Sequence, residues 1–424
     1  MKKMTIGFMM VLLLTVMAAA QSTAMISVSQ DNVQANRESW GPKTSADGRW
    51  VVFVSFASNL VSGDTNGCSD VFVRDCLTGS TERVSVSSTG QQGYGSFNDP
   101  DISADGRFVV FDSSGSALVA GDTNGCVDVF VRDRQAQSTF RVSVSSANIQ
   151  GNNVSYLPVI SGDGRFVAFS SLASNLVGYD GNDRMDVFVH DTLYRTTELV
   201  SVSSTGVIGN GDSWMPAISA DGSVIAFSSL ATNLVRSDTN GLRDIFVRLR
   251  DSRSTTRVSI SKDGAQANGE SEEPAVSGNG RKIAYASQAS NLVNQDTNGV
   301  CDVFVHDISI RSTIRASLSS QGYQGNCISY EPSLSFDGNL VAFTTRASNL
   351  VPNDTNSAWD ILVRDQAQGV TFRVSTATGG GQSNGNSWQP AIVSFYPAVV
   401  FGSTASNLVP NDTNGYYDIF IVTW

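Results

Sequence analysis

The feature that most limits what this chain can become is a stretch that returns seven times. Asp64-Thr65-Asn66-Gly67-Cys68-Ser69-Asp70 runs into Val71-Phe72-Val73-Arg74-Asp75, and its first Asp falls again at Asp122, Asp180, Asp238, Asp296, Asp354 and Asp412. Every step is 58 residues, without insertion. A strict period in that range means an array of equal supersecondary units that bury their apolar faces against one another. A length of 424 residues would by itself suggest two or three domains. The unbroken register makes a single array instead.

One unit reads as four short strands. In the second repeat Pro100-Asp101-Ile102-Ser103 opens a first strand, and Ala104-Asp105-Gly106-Arg107 is a hairpin turn. Phe108-Val109-Val110-Phe111 is an apolar run bounded by turn residues, hence a strand buried on both faces. A longer connection through Asp122-Thr123-Asn124-Gly125 leads to a third strand, Asp128-Val129-Phe130-Val131-Arg132-Asp133. Phe140-Arg141-Val142-Ser143-Val144 then alternates apolar and polar, as a half-exposed fourth strand does. Four short antiparallel strands make one propeller blade. No stretch after the leader sustains a 3.6-residue period, so very little helix is expected.

The ends decide between a ring and an open solenoid. The seventh unit stops after its third strand, Ile419-Phe420-Ile421-Val422, while Met25-Ile26-Ser27-Val28-Ser29 aligns with the fourth-strand segment Arg83-Val84-Ser85-Val86-Ser87. A ring closed by one strand from each terminus leaves no open end-to-end edge. The expected fold is therefore all-β, a seven-bladed β-propeller over residues 25–424 with its last blade completed by the N-terminal strand. Pro42, Pro100, Pro158, Pro216, Pro274, Pro332 and Pro390 keep register in the first strands. Phe53, Phe111, Phe169, Phe227, Tyr285, Phe343 and Phe401 keep it in the second.

The run Ile102-Ser103-Ala104-Asp105-Gly106-Arg107-Phe108-Val109-Val110-Phe111, followed by Asp128-Val129-Phe130-Val131-Arg132-Asp133 and Thr139-Phe140-Arg141-Val142-Ser143, resembles the TolB-type propeller repeat, a relative of the WD-type repeat. The resemblance covers residues 25–424. TolB carries an additional N-terminal α/β domain and fewer blades, and neither matches here. Peptidases with similar propellers carry a separate hydrolase domain, for which this chain has no room. The resemblance thus implies architecture and an interaction role, and transfers no catalytic residue.

Residues 1–24 read as a secretory signal. Lys2 and Lys3 form the positive end, Ile6 to Ala20 the apolar core, and Ala18-Ala19-Ala20 or Ser22-Thr23-Ala24 the small-residue cleavage site. The alternative, an uncleaved anchor, asks for a longer apolar run. No Cys ends the signal, which argues against a lipoprotein. The expected product is secreted or periplasmic, monomeric, and without a membrane span once the signal is removed. A net charge of −11 argues against a nucleic-acid partner. Five cysteines in an exported chain leave at least one unpaired; Cys301 and Cys327 are the pair best placed for a disulfide, the alternative being free buried thiols.

Strand direction puts all seven Asp-x-Asn-x-x-x-Asp loops on one face, with the Asp-Gly turns on the other. The loop residues are Asp64, Asn66 and Asp70; Asp122, Asn124 and Asp128; Asp180, Asn182 and Asp186; Asp238, Asn240 and Asp244; Asp296, Asn298 and Asp302; Asp354, Asn356 and Asp360; and Asp412, Asn414 and Asp418. Their functional reading is calcium, since oxygen ligands at positions 1, 3 and 7 of a tight loop resemble the start of a calcium loop. The EF-hand Gly of position 6 is displaced to position 4, and the twelfth residue is carried away by an extended strand at about 3.3 Å per residue. Each site would be weak. The competing reading is a connection capped by its own Asx turns. The loop face should form an acidic rim, with Arg49, Arg107, Arg165 and Arg281, and near them Arg74, Arg132, Arg248 and Arg364, on the opposite side.

Catalytic candidates are poorer. His190 and His306 replace Arg at one third-strand position and read as solvated substitutes. The channel-facing residues of the first strands are expected near Lys43, Asp101, Val159, Ala217, Ala275, Ser333 and Ala391, too few polar groups for a catalytic set. No Ser sits in a Gly-x-Ser-x-Gly elbow before a helix. Trp40, Tyr156, Trp214, Tyr330 and Trp388 recur in the interblade links, suited to glycan or protein contact or to packing between blades. Together these features point to a non-catalytic scaffold for a protein or polysaccharide partner, with calcium as its one candidate cofactor. The alternatives are a hydrolase or lyase acting at the central channel, and a purely structural surface protein.

Overall fold

Short apolar runs of Val, Ile and Phe, punctuated by Asp-Gly and Asn-Gly turns, have one way to bury both faces, which is to stack as small sheets. The computed structural model describes residues 21–424, and these form 28 strands in seven four-stranded antiparallel sheets, with no helix among the described residues. The first blade runs outward from the channel through β2 (Ser39–Thr44), β3 (Trp50–Ser55), β4 (Asp70–Asp75) and β5 (Thr81–Arg83). Five blades repeat the pattern within residues 97–141, 155–199, 213–257, 271–315 and 329–373. The seventh combines β26 (Ser387–Ile392), β27 (Ala398–Ser403) and β28 (Asp418–Thr423) with β1 (Ser22–Met25). The seven-bladed ring expected from the repeat is the fold observed.

Two strand boundaries differ from expectation. The closing strand is Ser22–Met25, paired Ser22 to Thr423 and Met25 to Phe420, so the propeller takes in Ser22-Thr23-Ala24 as well as residues 25–424. Met25 is its last residue, not its first. Residues 1–20 of the expected signal lie outside the described residues. The conserved-register prolines also stand fourth in the first strands rather than opening them. The residue before each takes a positive φ, from 44° at Asp99 to 62° at Gly41. In blade 1 the ladder consequently jumps from the Trp40–Val54 pair to the Lys43–Val52 pair, and the same shift recurs in every blade.

The core is a belt between sheets. Second-strand Phe53, Phe111, Phe169, Phe227, Tyr285 and Phe401 are fully buried against third-strand Phe72, Phe130, Phe188, Phe246, Phe304 and Phe420, with ring centroids 5.9–6.2 Å apart. Offset stacking at that distance adds to the area buried. The Asp-Gly turns form a second ring. The amide of each turn donates to a carbonyl in the next, as from Ala46 to Ala104, Ala104 to Gly162 and Ala220 to Gly278, and Phe395 returns the circuit to Ala46 at 3.1 Å. All five cysteines are free thiols, so the Cys301–Cys327 disulfide does not form. Cys301 instead sits beside Glu272, Glu273 and Asp302, and burial pushes its thiol up to about 12.

Candidate functional site

The seven Asp-x-Asn-x-x-x-Asp loops do share one face. Asn66 accepts from the Cys68 amide through Oδ1 (3.0 Å), an Asx turn, and donates through Nδ2 to Asp70 Oδ2 and to the Gly93 carbonyl, both at 2.9 Å. Gly93 belongs to the link entering the next blade, so one side chain ties a loop to its neighbour. The same bond to a link carbonyl is made by Asn124, Asn182, Asn240, Asn298, Asn356 and Asn414, the last reaching Ala35 across the ring closure. The final Asp of every loop is fully buried. Asp70 takes a further bond from the Ser85 hydroxyl.

A cation already stands between the carboxylates in five blades. Arg83 Nη1 lies 3.1 Å from Asp64 and 3.5 Å from Asp70. Arg141, Arg257, Arg315 and Arg373 repeat the arrangement with Asp122/Asp128, Asp238/Asp244, Asp296/Asp302 and Asp354/Asp360. Blade 3 has Leu199 at that register position and blade 7 has Met25, leaving Asp180/Asp186 and Asp412/Asp418 without a guanidinium. Burial raises the carboxyls of all four, Asp186 and Asp418 to about 6. An exposed acidic rim is therefore absent, because the carboxylates point into the blades and most are matched internally. The opposite face is also paired: Arg49, Arg107, Arg165 and Arg281 bind Asp75, Asp133, Asp191 and Asp307.

Of the third-strand arginines, Arg74, Arg132 and Arg248 are buried and Arg364 is half-buried, Arg74 donating to the Ser29 and Gly79 carbonyls. The two histidines inherit this environment. His190 and His306 are 4% and 3% exposed, each with Nδ1 2.9 Å from a threonine hydroxyl, Thr197 or Thr313. They are not solvated, and burial holds both down at about 4, hence neutral.

The polar cluster that the sequence reading did not find lines the central channel. A cavity of about 280 Å³ is walled by the seven prolines and by the residues before them: Gly41, Asp99, Leu157, Met215, Glu273, Glu331 and Gln389. Positive φ at six non-glycine residues is strain concentrated at one place. At four of the seven positions the amide bonds a side chain of the preceding blade. Glu331 N donates to Glu273 (2.7 Å), Gln389 N to Glu331 (2.8 Å) and Gly41 N to Gln389 (3.0 Å). Leu157 N donates to Asp112, which is 2% exposed, and Ile160 N to Asp101.

Burial raises Asp99, Asp101, Asp112, Glu273 and Glu331, Glu273 to about 7. Burial raises both Asp99 and Asp112, the Asp99 charge raises Asp112 further, and the two carboxyls titrate as a pair. Lys43 is the cation facing them and lowers Asp99, Asp101 and Glu331. Leu157, Val159 and Met215 make the facing wall apolar. Of the channel residues expected from sequence, Lys43 and Val159 line the cavity.

One residue above this layer stands a half-buried collar of Trp40, Tyr156, Trp214, Tyr330 and Trp388. The collar is partly braced: Trp40 packs on Phe56 (5.1 Å), Tyr330 on Trp359 (5.1 Å), Trp388 on Tyr417 (5.7 Å), and Arg243 lies 5.6 Å over Trp214. The packing expected of these rings is thus seen for Trp40, Trp214, Tyr330 and Trp388, and all five rings stay half-buried. Among the described residues no three His, Cys, Asp or Glu side chains gather as metal ligands.

No family model matches the chain, and no curated protein matches it in sequence. Solved structures match it in fold. An oligogalacturonate lyase in complex with manganese superposes with a TM-score of 0.56 at 13% identity, covering 91% of this chain and 89% of that one. The β-propeller domain of the Trilobed protease from Pyrococcus furiosus gives 0.51 at 10% identity, with 87% and 92% covered. A putative TolB from Agrobacterium tumefaciens gives 0.42 at 17% identity, with 80% and 92% covered. What is shared is the propeller. At these identities its chemistry does not transfer.

Two tests follow from the geometry. Arg257→Met strands two carboxylates that are almost wholly buried, and urea unfolding should report a loss of about 3–5 kcal/mol; an unchanged midpoint would mean that the arginine is dispensable. The second is pH. Glu273, raised in the fold, contributes stability that is complete below about 4.5 and lost as pH rises through about 7. His306, depressed, contributes stability that is complete above its unfolded value of 6.5 and lost as pH falls toward 4. Glu273→Gln should flatten the alkaline limb of the midpoint-versus-pH curve and His306→Gln the acid limb.

Proposed function

We propose that this is an exported, non-catalytic propeller scaffold that engages a protein partner through a basic segment seated at the loop-face mouth of the channel. The observation that carries this is the aromatic collar above a cavity with more carboxyls than cations. Trp and Tyr rings attract ammonium and guanidinium groups through their faces, and carboxyls in a partly desolvated site complete the recognition. A neutral polysaccharide would use the same rings for stacking but would leave the acids without a matching charge. The TolB-like repeat and the leader agree with a periplasmic or extracellular setting.

Calcium enters this reading at the two loops that lack an arginine, Asp180/Asn182/Asp186 and Asp412/Asn414/Asp418. In the other five the guanidinium fills the position a cation would take. The second reading, a hydrolase or lyase at the channel, draws on the Asp99–Asp112 pair and Lys43, which give an acid and a charged partner within one cavity.

Calorimetric titration with oligolysine and with a panel of neutral polysaccharides separates the partner classes. The scaffold reading expects oligolysine to bind and the Trp214→Ala/Trp388→Ala double variant to weaken it at least tenfold. Binding by the polysaccharides alone would refute it. Turnover of any panel member that disappears in Asp99→Asn would establish the enzyme instead. For calcium, adding the ion to EDTA-treated protein should raise the thermal midpoint, and Asp180→Asn with Asp412→Asn should abolish the rise. An unmoved midpoint withdraws calcium from the reading.

A further inference from the structure

Two small-residue motifs offer themselves as the end of the leader, and the ring closure distinguishes them. We infer that the leader is removed between Ala20 and Gln21, because the alternative cut after Ala24 destroys the strand that closes the propeller. The inference rests on the export reading above.

Ser22, Thr23, Ala24 and Met25 pair with Thr423, Val422, Ile421 and Phe420. A chain beginning at Met25 loses three of those four pairs and leaves β28 as an open edge facing solvent, the arrangement that invites pairing between molecules. Gln21 is also part of the folded ring. Its Nε2 donates to the Arg373 carbonyl at 2.9 Å, and its Oε1 accepts from the Thr376 hydroxyl at 2.6 Å, which ties the closing strand to the outer edge of blade 6. Downstream the segment is equally committed: Ile26 N donates to the Ile419 carbonyl, and Ser27 Oγ, fully buried, donates to Asp418 at 2.5 Å. The folded ring therefore takes in Gln21, the residue that follows Ala18-Ala19-Ala20 in the sequence.

Both bonds are accessible while the chain is unfolded, so selection acts on the product. Hydrolysis of the Ala20–Gln21 amide consumes one water and leaves a carboxylate on Ala20 and an ammonium on Gln21. The peptidase responsible is of the class that reads small residues one and three places before the cut.

The full chain, expressed in a secreting bacterial host and recovered from outside the cytoplasm, is examined by N-terminal sequencing and intact mass. The expected species begins at Gln21 or at its cyclised form. A species beginning at Met25 overturns the inference while leaving export intact. Retention of residues 1–20 overturns both. Chains made to start at Gln21 and at Met25 provide a second measurement: the shorter should unfold at least about 5 °C lower, and equal midpoints would show that β1 is not needed and contradict the argument.

Discussion

The structure depends on how each blade is locked to the next without a covalent link. The hydrophobic belt supplies the bulk of the driving force, but apolar sheets can slide over one another. Directional bonds set their register. On the loop face that task falls to one asparagine per blade, whose side chain joins its own loop to the incoming link and, in six of the seven blades, to the buried third-strand Asp. On the turn face it falls to the circuit of backbone bonds between hairpins. A polar lock at each mouth of the channel leaves the apolar middle to pack closely.

Burying two carboxylates per loop is unfavourable unless something compensates, and the fourth-strand arginine does so in five blades. This explains why an acidic motif can recur seven times without producing an acidic surface. It also makes the repeat unequal. Blades 3 and 7, with Leu199 and Met25, retain the asparagine bonds but lose the guanidinium. Blade 7 is the one assembled from both termini, so one of the two loops without a guanidinium coincides with the closure.

Much of the fold was legible because a period of 58 residues leaves few architectures, and because the end of the last unit and the start of the first complement each other. The loops were legible as a motif but not as a lock. Their partner arginines stood in the same register, at Arg83, Arg141, Arg257, Arg315 and Arg373, yet a charged residue on a half-exposed strand ordinarily faces water. The buried histidines were misjudged for a related reason, since the arginines they replace run between blades instead of outward. The channel cluster was hidden more deeply. Its members, from Gly41 to Gln389, share no chemistry; they share a positive φ before proline, and backbone conformation is not written in residue type.

The central claim is that the acidic loops are structural locks completed by an internal cation. Native-state hydrogen exchange of the intact chain, resolved by loop, tests it most directly. The account predicts strong protection in the five arginine-clamped loops and faster exchange over Asp180–Met185 and Asp412–Tyr416. Uniformly rapid exchange across all seven loops would contradict it.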